Sequence, residues 1–306
     1  MREQESNMNS RIAERVEVPE NSASVILAVA PCRSGTTAQL RVFAGAGIQA
    51  HYQPLKAIMR EIENGKEGRF VVPADKQTIF IKETVGPYTD AESTLDPVSI
   101  LLNAGLPKDK LHVIPMLRQP LVTFASWVKV NEAVKEFFGG AVEGDVLLRN
   151  VIRSYNTVSR IRDDALCAKI PTTTYVQESL RDNRPEQVVK SMLARTGVSY
   201  NPSSVSGWKE LAPLGSPKSG IIFHPEGTAP YEDQGSTIIH RLLTESDGLI
   251  YHDKEESMLH RIVDDTYRKK LYDSGIYELY DRFRRACERD LRLRVIPSPE
   301  VKQVIV

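Results

Sequence analysis

An apolar run from Ser24 to Ala30 breaks abruptly into Pro31-Cys32-Arg33-Ser34-Gly35-Thr36-Thr37, and helical spacing resumes at Leu40, Phe43 and Ala44. A buried strand that turns sharply into a helix presents the first-turn amides beyond the edge of its sheet. Those N–H groups, at the positive end of the helix dipole, make a cradle for an anion. Here the donors are the amides of Ser34, Gly35, Thr36 and Thr37, supplemented by their hydroxyls and by the Arg33 guanidinium, and Gly35 permits close backbone approach. A second cluster stands where the apolar run Lys110 to Leu117 ends in Arg118-Gln119-Pro120 and enters a helix that carries Ser126. Guanidinium offers a phosphate a planar fork, and a charge-assisted hydrogen bond contributes about 1.5–3 kcal/mol.

The first cluster is not the common nucleoside triphosphate loop, which needs Gly-Lys-Ser/Thr four residues after a first glycine so that lysine reaches the terminal phosphates. The chain's Gly65-Lys66 pair is followed by Glu67 in a polar turn. Pro-x-Arg-Ser-Gly-Thr-Thr after a strand resembles instead the 5'-phosphosulfate loop of the sulfotransferase family that uses 3'-phosphoadenosine 5'-phosphosulfate (PAPS). Arg118, with Ser126 eight residues later, resembles that family's 3'-phosphate pair. Thr173-Thr174-Tyr175-Val176-Gln177-Glu178-Ser179-Leu180 is a looser echo, in which Tyr175 matches a position near the adenine while the acidic residues have moved; a buried tyrosine without a ligand is the alternative.

The resemblance implies transfer of a sulfuryl group from PAPS to a hydroxyl or amine of a small-molecule or carbohydrate acceptor, with PAP (3',5'-diphosphoadenosine) as product and no metal required. It implies cofactor-binding roles for Arg33, Ser34, Gly35, Thr36, Thr37, Arg118, Ser126 and Tyr175. Arg33 and Lys82 would relieve charge growing on the bridging oxygen. The base is where the chain departs from the family. Relatives with Lys-Thr-His are matched by Lys82-Glu83-Thr84, and those with Glu-Pro-Leu by Gln53-Pro54-Leu55, whose amide cannot take a proton. Glu83 and His51 remain as candidates, with an ion pair between Glu83 and Lys82 as the structural alternative for the first. Two rival readings stay open: a P-loop small-molecule kinase, disfavoured by the missing lysine, and a non-catalytic nucleotide-binding interaction protein.

Forty basic and forty acidic side chains among 306 residues give a formal charge of zero, which recommends neither a nucleic-acid partner nor a membrane surface. Three dispersed cysteines, Cys32, Cys167 and Cys287, suit a reducing compartment and show no zinc spacing. Cys32 reads as small filler in the turn. Met1 to Glu20 is polar, without the apolar core of a signal peptide, and no stretch reaches the roughly twenty apolar residues of a membrane span. The expectation is a cytoplasmic protein.

These clusters need a scaffold that brings strand ends together. Apolar runs at Gly47 to Tyr52, Thr78 to Lys82, Lys110 to Leu117 and Pro171 to Val176 join Ser24 to Ala30 as strands, separated by helical patterns at Pro54 to Glu63, Val98 to Ala104, Pro120 to Asn131 and Asp145 to Ala168. Such alternation demands crossovers and a parallel sheet. The expected fold class is α/β, a three-layer P-loop fold with a central, mainly parallel sheet of about five strands flanked by helices. Residues 1–22 are expected to be a disordered leader and 23–306 a single domain. Within it, 207–255 is crowded with proline and glycine and reads either as an acceptor-site lid or as a surface insertion. Gly65 to Asp75 reads as a loop, and helical patterns return at Pro185 to Leu193, Glu255 to Leu271 and Ile276 to Leu291.

Overall fold

A computed structural model of the chain describes residues 2–134, 142–210, 219–224, 246–251, 259 and 262–297. Helix α1 (Arg2–Ala13) and the short β1 (Val16–Glu17) precede β2 (Ser24–Pro31), every residue of which is buried after Ser24. A strand apolar on both faces must be covered on both faces, and the chain does this by alternating strands with helices. In order these are α2 (Thr36–Gly45), β3 (Gln49–Tyr52), α3 (Pro54–Glu63), β4 (Phe70–Val71), β5 (Thr78–Val85), α4 (Asp90–Thr94), α5 (Pro97–Asn103), β6 (Leu111–Leu117), α6 (Pro120–Val134) and α7 (Gly144–Cys167). Then come β7 (Tyr175–Val176), α8 (Ser179–Asp182), α9 (Pro185–Arg195), β8 (Ile221–Phe223), α10 (Asp265–Asp273) and α11 (Ile276–Leu291).

The central sheet is parallel throughout, in the order β7-β6-β2-β5-β3-β8, with helices flanking it. It holds six strands, one more than the apolar runs suggest. The extra strand is β8, which pairs with β3 through Ala50 and Ile221 at the sheet edge. It lies inside the Pro- and Gly-rich stretch, where three residues are too few to show a period. Of 207–255, the described parts also include a 3₁₀ turn at Trp208–Glu210 and a bridge between Ser206 and Gly248. Most of the expected lid, residues 211–218 and 225–245, lies outside the described residues.

Three other expectations change. The leader is not unstructured, because α1 buries Ile12 completely and packs on α5 and α3. Its apolar residues are sparse in sequence, but they meet an apolar surface already built by the domain. The loop from Gly65 to Asp75 contains β4, which pairs in parallel with β1. The expected strand from Pro171 is confined to Tyr175–Val176, with one isolated bridge from Thr172 to Val113. Among the described residues, no helix is long and apolar enough to cross a membrane.

Candidate active site at the switch point of the sheet

From β2 the chain passes through α2 to β3 on one side, whereas from β6 it passes through α6 and α7 to β7 on the other. The strands β2 and β6 are neighbours, so their carboxyl ends border the crevice in which open α/β sheets bind ligands. Both arginine clusters stand there.

The turn after β2 is built from two left-handed residues, Arg33 at φ 71° and Gly35 at φ 82°. Its entry is held by the Cys32 amide on the Val85 carbonyl at 3.0 Å and by the Trp127 indole N–H, which donates to the Cys32 carbonyl. The amide of Ser34, expected to face an anion, donates instead to the Pro31 carbonyl at 3.3 Å. Thr36 and Thr37 open α2, so their amides have no intrahelical acceptor. At φ 82° Gly35 holds a backbone conformation that other residues rarely adopt, and a Cβ there would also push aside the Gln177 carboxamide, which covers the turn from the end of β7.

Arg33 reaches across the crevice. Its Nε donates to Ser126 Oγ in α6 at 3.1 Å, while Arg118 Nη1 donates to the Arg33 carbonyl at 3.4 Å. Arg118 Nε and Ser34 Oγ are buried without hydrogen-bond partners among the described residues. Buried polar atoms are nearly always satisfied, so these two, one on each cluster, leave capacity for an oxyanion. The residues present therefore fit a ligand bearing phosphate-like groups.

The Arg118 segment is held from behind. Tyr155 of α7 donates its hydroxyl proton to the Arg118 carbonyl and can accept from the Thr123 hydroxyl at 2.9 Å. Glu178, nearly inaccessible to solvent, accepts from the Gln119 amide at 2.9 Å and from the Tyr280 hydroxyl at 2.8 Å. Burial raises the Glu178 pKa, against the pull of Arg118. Tyr175 is fully buried beside Gln39 and Ser179, and burial pushes its phenol pKa upward. Its hydroxyl, Gln39 Oε1 and Ser179 Oγ form no complete hydrogen bond with one another.

The other candidate residues lie on and beside β5, with Lys82 and Glu83 opposite Ala28 and Val29 of β2. Lys82 places its ammonium 4.2 Å from the Tyr52 ring centroid, and desolvation lowers its pKa to about 7. Glu83 Oε1 accepts from the Leu55 amide at 2.7 Å. It thereby caps α3, whose own N-cap residue Gln53 gives no side-chain cap. Glu83 Oε2 is buried without a partner among the described residues, and desolvation raises the carboxyl pKa to about 7. The carboxyl group is thus hydrogen-bonded to a helix end, and Lys82 acts on it through its charge alone among the described contacts.

His51 is not drawn into this group. Its Nδ1 lies 3.0 Å from His224 Nε2, one ring donating to the other, and both rings meet Phe70 edge-on. This cluster sits where β3 meets β8, two strands away from β2. Burial lowers the His51 pKa to about 3, with His224 adding to the effect. His112, as a strand histidine, contacts Thr173 Oγ1 at 2.9 Å.

Sequence reasoning did not single out Gln177, Glu178 or Tyr155 for the site. The first two stand in the Tyr175 string, where their place immediately after a strand end is a usable signal; Tyr155 has none, since one tyrosine on an amphipathic helix face looks like any other core residue. Fold and site together define an α/β protein with an arginine-hydroxyl cluster at the switch point of a parallel sheet. No family model matches the chain, and no curated protein matches it either.

Proposed function

We propose that this protein is a sulfotransferase that uses PAPS as donor and a hydroxyl- or amine-bearing small molecule or carbohydrate as acceptor, working in the cytoplasm. The observation that carries the reading is the meeting of Arg33, Ser126 and Arg118 at one crevice, with two buried polar atoms left unsatisfied beside them. Arg118 and Ser126 would hold the 3'-phosphate; the turn from Arg33 to Thr37 would hold the 5'-phosphosulfate. Bound there, the donor supplies an activated sulfuryl group and a phosphate leaving group.

The chain's residues supply the rest. Arg33 gives its Nε–H to Ser126, so its terminal nitrogens are what it would offer to charge growing on the bridging oxygen. Lys82, on the adjacent strand, adds a second cation below pH about 7. Glu83 Oε2 is the proton acceptor for the incoming hydroxyl or amine, its pKa raised by burial toward the operating range of a general base. His51 is less suited, because burial holds its pKa at about 3 and it lies two strands away from β2.

Calorimetry of the full chain with 3',5'-diphosphoadenosine and with ATP tests the binding half. Preference for the former supports the assignment of Arg118, whereas preference for ATP favours a phosphoryl-transfer enzyme. The catalytic half is tested by incubating the protein with PAPS and a metabolite pool and seeking, by mass spectrometry, products heavier by one sulfuryl group. Tight nucleotide binding with no such product favours a non-catalytic binding module.

A further inference from the structure

Helix α7 carries a second concentration of cationic side chains, away from the turn after β2. Arg149, Arg153, Asn156 and Arg160 succeed one another at four-, three- and four-residue steps, which places them on one stripe of the helix. With Thr94 of α4 and the apolar Ile152 they line a groove of about 410 Å³, within the range of small-molecule sites.

No carboxylate lines that groove. The acids that touch its arginines stand at the margins: Asp90 lies 2.8 Å from Arg153 Nη1 and 3.9 Å from Arg149 Nη2, while Asp96 and Asp164 approach Arg160 Nη1 at 2.9 and 3.4 Å. The Arg149 contact is beyond hydrogen-bond range, and its side chain is 56% exposed. Arg160 is half exposed and engages these acids through one of its two terminal nitrogens. Guanidinium donors therefore remain at both ends of the stripe. The walls are fixed, since Thr157 Oγ1 donates to the Ser93 carbonyl and Asn150 Nδ2 to the Pro87 carbonyl, both at 2.9 Å.

The spacing selects the shape of a ligand. At 1.5 Å rise per residue, Arg153 and Arg160 stand about 10 Å apart along the axis and Arg149 and Arg160 about 16 Å, a span that the long, exposed Arg149 and Arg160 side chains can shorten by leaning toward each other. A compact anion cannot engage both ends. Asn156 and Thr94 between them suit hydroxyl groups.

We propose that the α4–α7 groove binds an elongated polyol that carries an anionic group, phosphate or carboxylate, at each end. The proposal is independent of the donor assignment at Arg33 and Arg118. It is tested by calorimetry at constant ionic strength with fructose 1,6-bisphosphate and galactarate as two-ended probes and glucose 6-phosphate as the one-ended control. At least one two-ended probe should bind about tenfold more tightly than the control, and which one does so names the anionic group. R149Q and R160Q, both at exposed positions, should each reduce that affinity to the one-ended level, and R160K should recover part of it. R33A should leave it unchanged. Equal affinity for all three probes, or loss in R33A with none in R149Q and R160Q, overturns the proposal.

Discussion

Arg33 Nε and Ser126 Oγ are 3.1 Å apart although 93 residues separate them in the chain, and this bond spans the crevice at the ends of β2 and β6. It turns two local motifs into one site. Arg118 adds to it by donating to the Arg33 carbonyl, which ties the end of β6 to the turn after β2.

Replacing Arg118 with alanine should therefore weaken binding of 3',5'-diphosphoadenosine by roughly 1.5–3 kcal/mol, the worth of a hydrogen bond to a charged group. Titration calorimetry measures this directly. An unchanged dissociation constant refutes the role given to Arg118, provided that the thermal midpoint of the variant matches the parent.

Gly35→Ala should cost about 1–3 kcal/mol of stability, because the residue sits at φ 82° and its new Cβ would run into Gln177. Adding Gln177→Ala should return part of that loss, but not the backbone strain. Denaturant unfolding of the single and double variants reads both components; full recovery in the double variant would show that the left-handed turn carries no cost.

The Glu83 carboxyl pKa is raised by burial to about 7, so its contribution to stability is fully present below the ordinary carboxylate pKa and is lost as pH rises through about 7. Glu83→Gln should remove this loss, and the variant should gain on the parent between pH 5 and 8 in urea midpoints. Under the proposed sulfuryl transfer Glu83 would act deprotonated and Lys82 protonated, each with a pKa near 7, which calls for a narrow bell-shaped dependence of kcat/KM around neutrality. Glu83→Gln should bind nucleotide normally and lose turnover. Full turnover would move the base elsewhere.

The His51–His224 pair acts in the opposite sense. Burial lowers the two pKa values to about 3 and about 4, so the stability contributed by neutral rings is present above pH about 6.5 and is lost as pH falls toward those values. His51→Gln should flatten the acid limb of the stability profile between pH 6.5 and 4 relative to the parent. An identical limb would mean that these histidines do not govern it.

Much of this architecture is legible from short windows of sequence. The apolar run of β2, the break at Pro31 to Thr37, the Asp96-Pro97 start of α5 and the Arg118-Gln119-Pro120 strand end are local patterns, and the structure places each at the element its pattern implies. Helix and strand preferences act over a few residues, so composition and period suffice to announce them. The chemistry of the turn, hydroxyls and a guanidinium at a helix start, is likewise written in consecutive residues.

Other features depend on contacts between distant parts of the chain. Glu83 looks equally suited to pairing with Lys82, yet it caps α3 because the packing of β5 beside β3 brings the Leu55 amide to it. His51 meets His224 because three residues inside the Pro- and Gly-rich passage add to the sheet edge as β8. The leader gains structure through the apolar surface it covers, which its own residues do not reveal. In each case the deciding quantity is the fit of side chains brought together by parallel crossovers, and such long-range proximity leaves no period in the sequence.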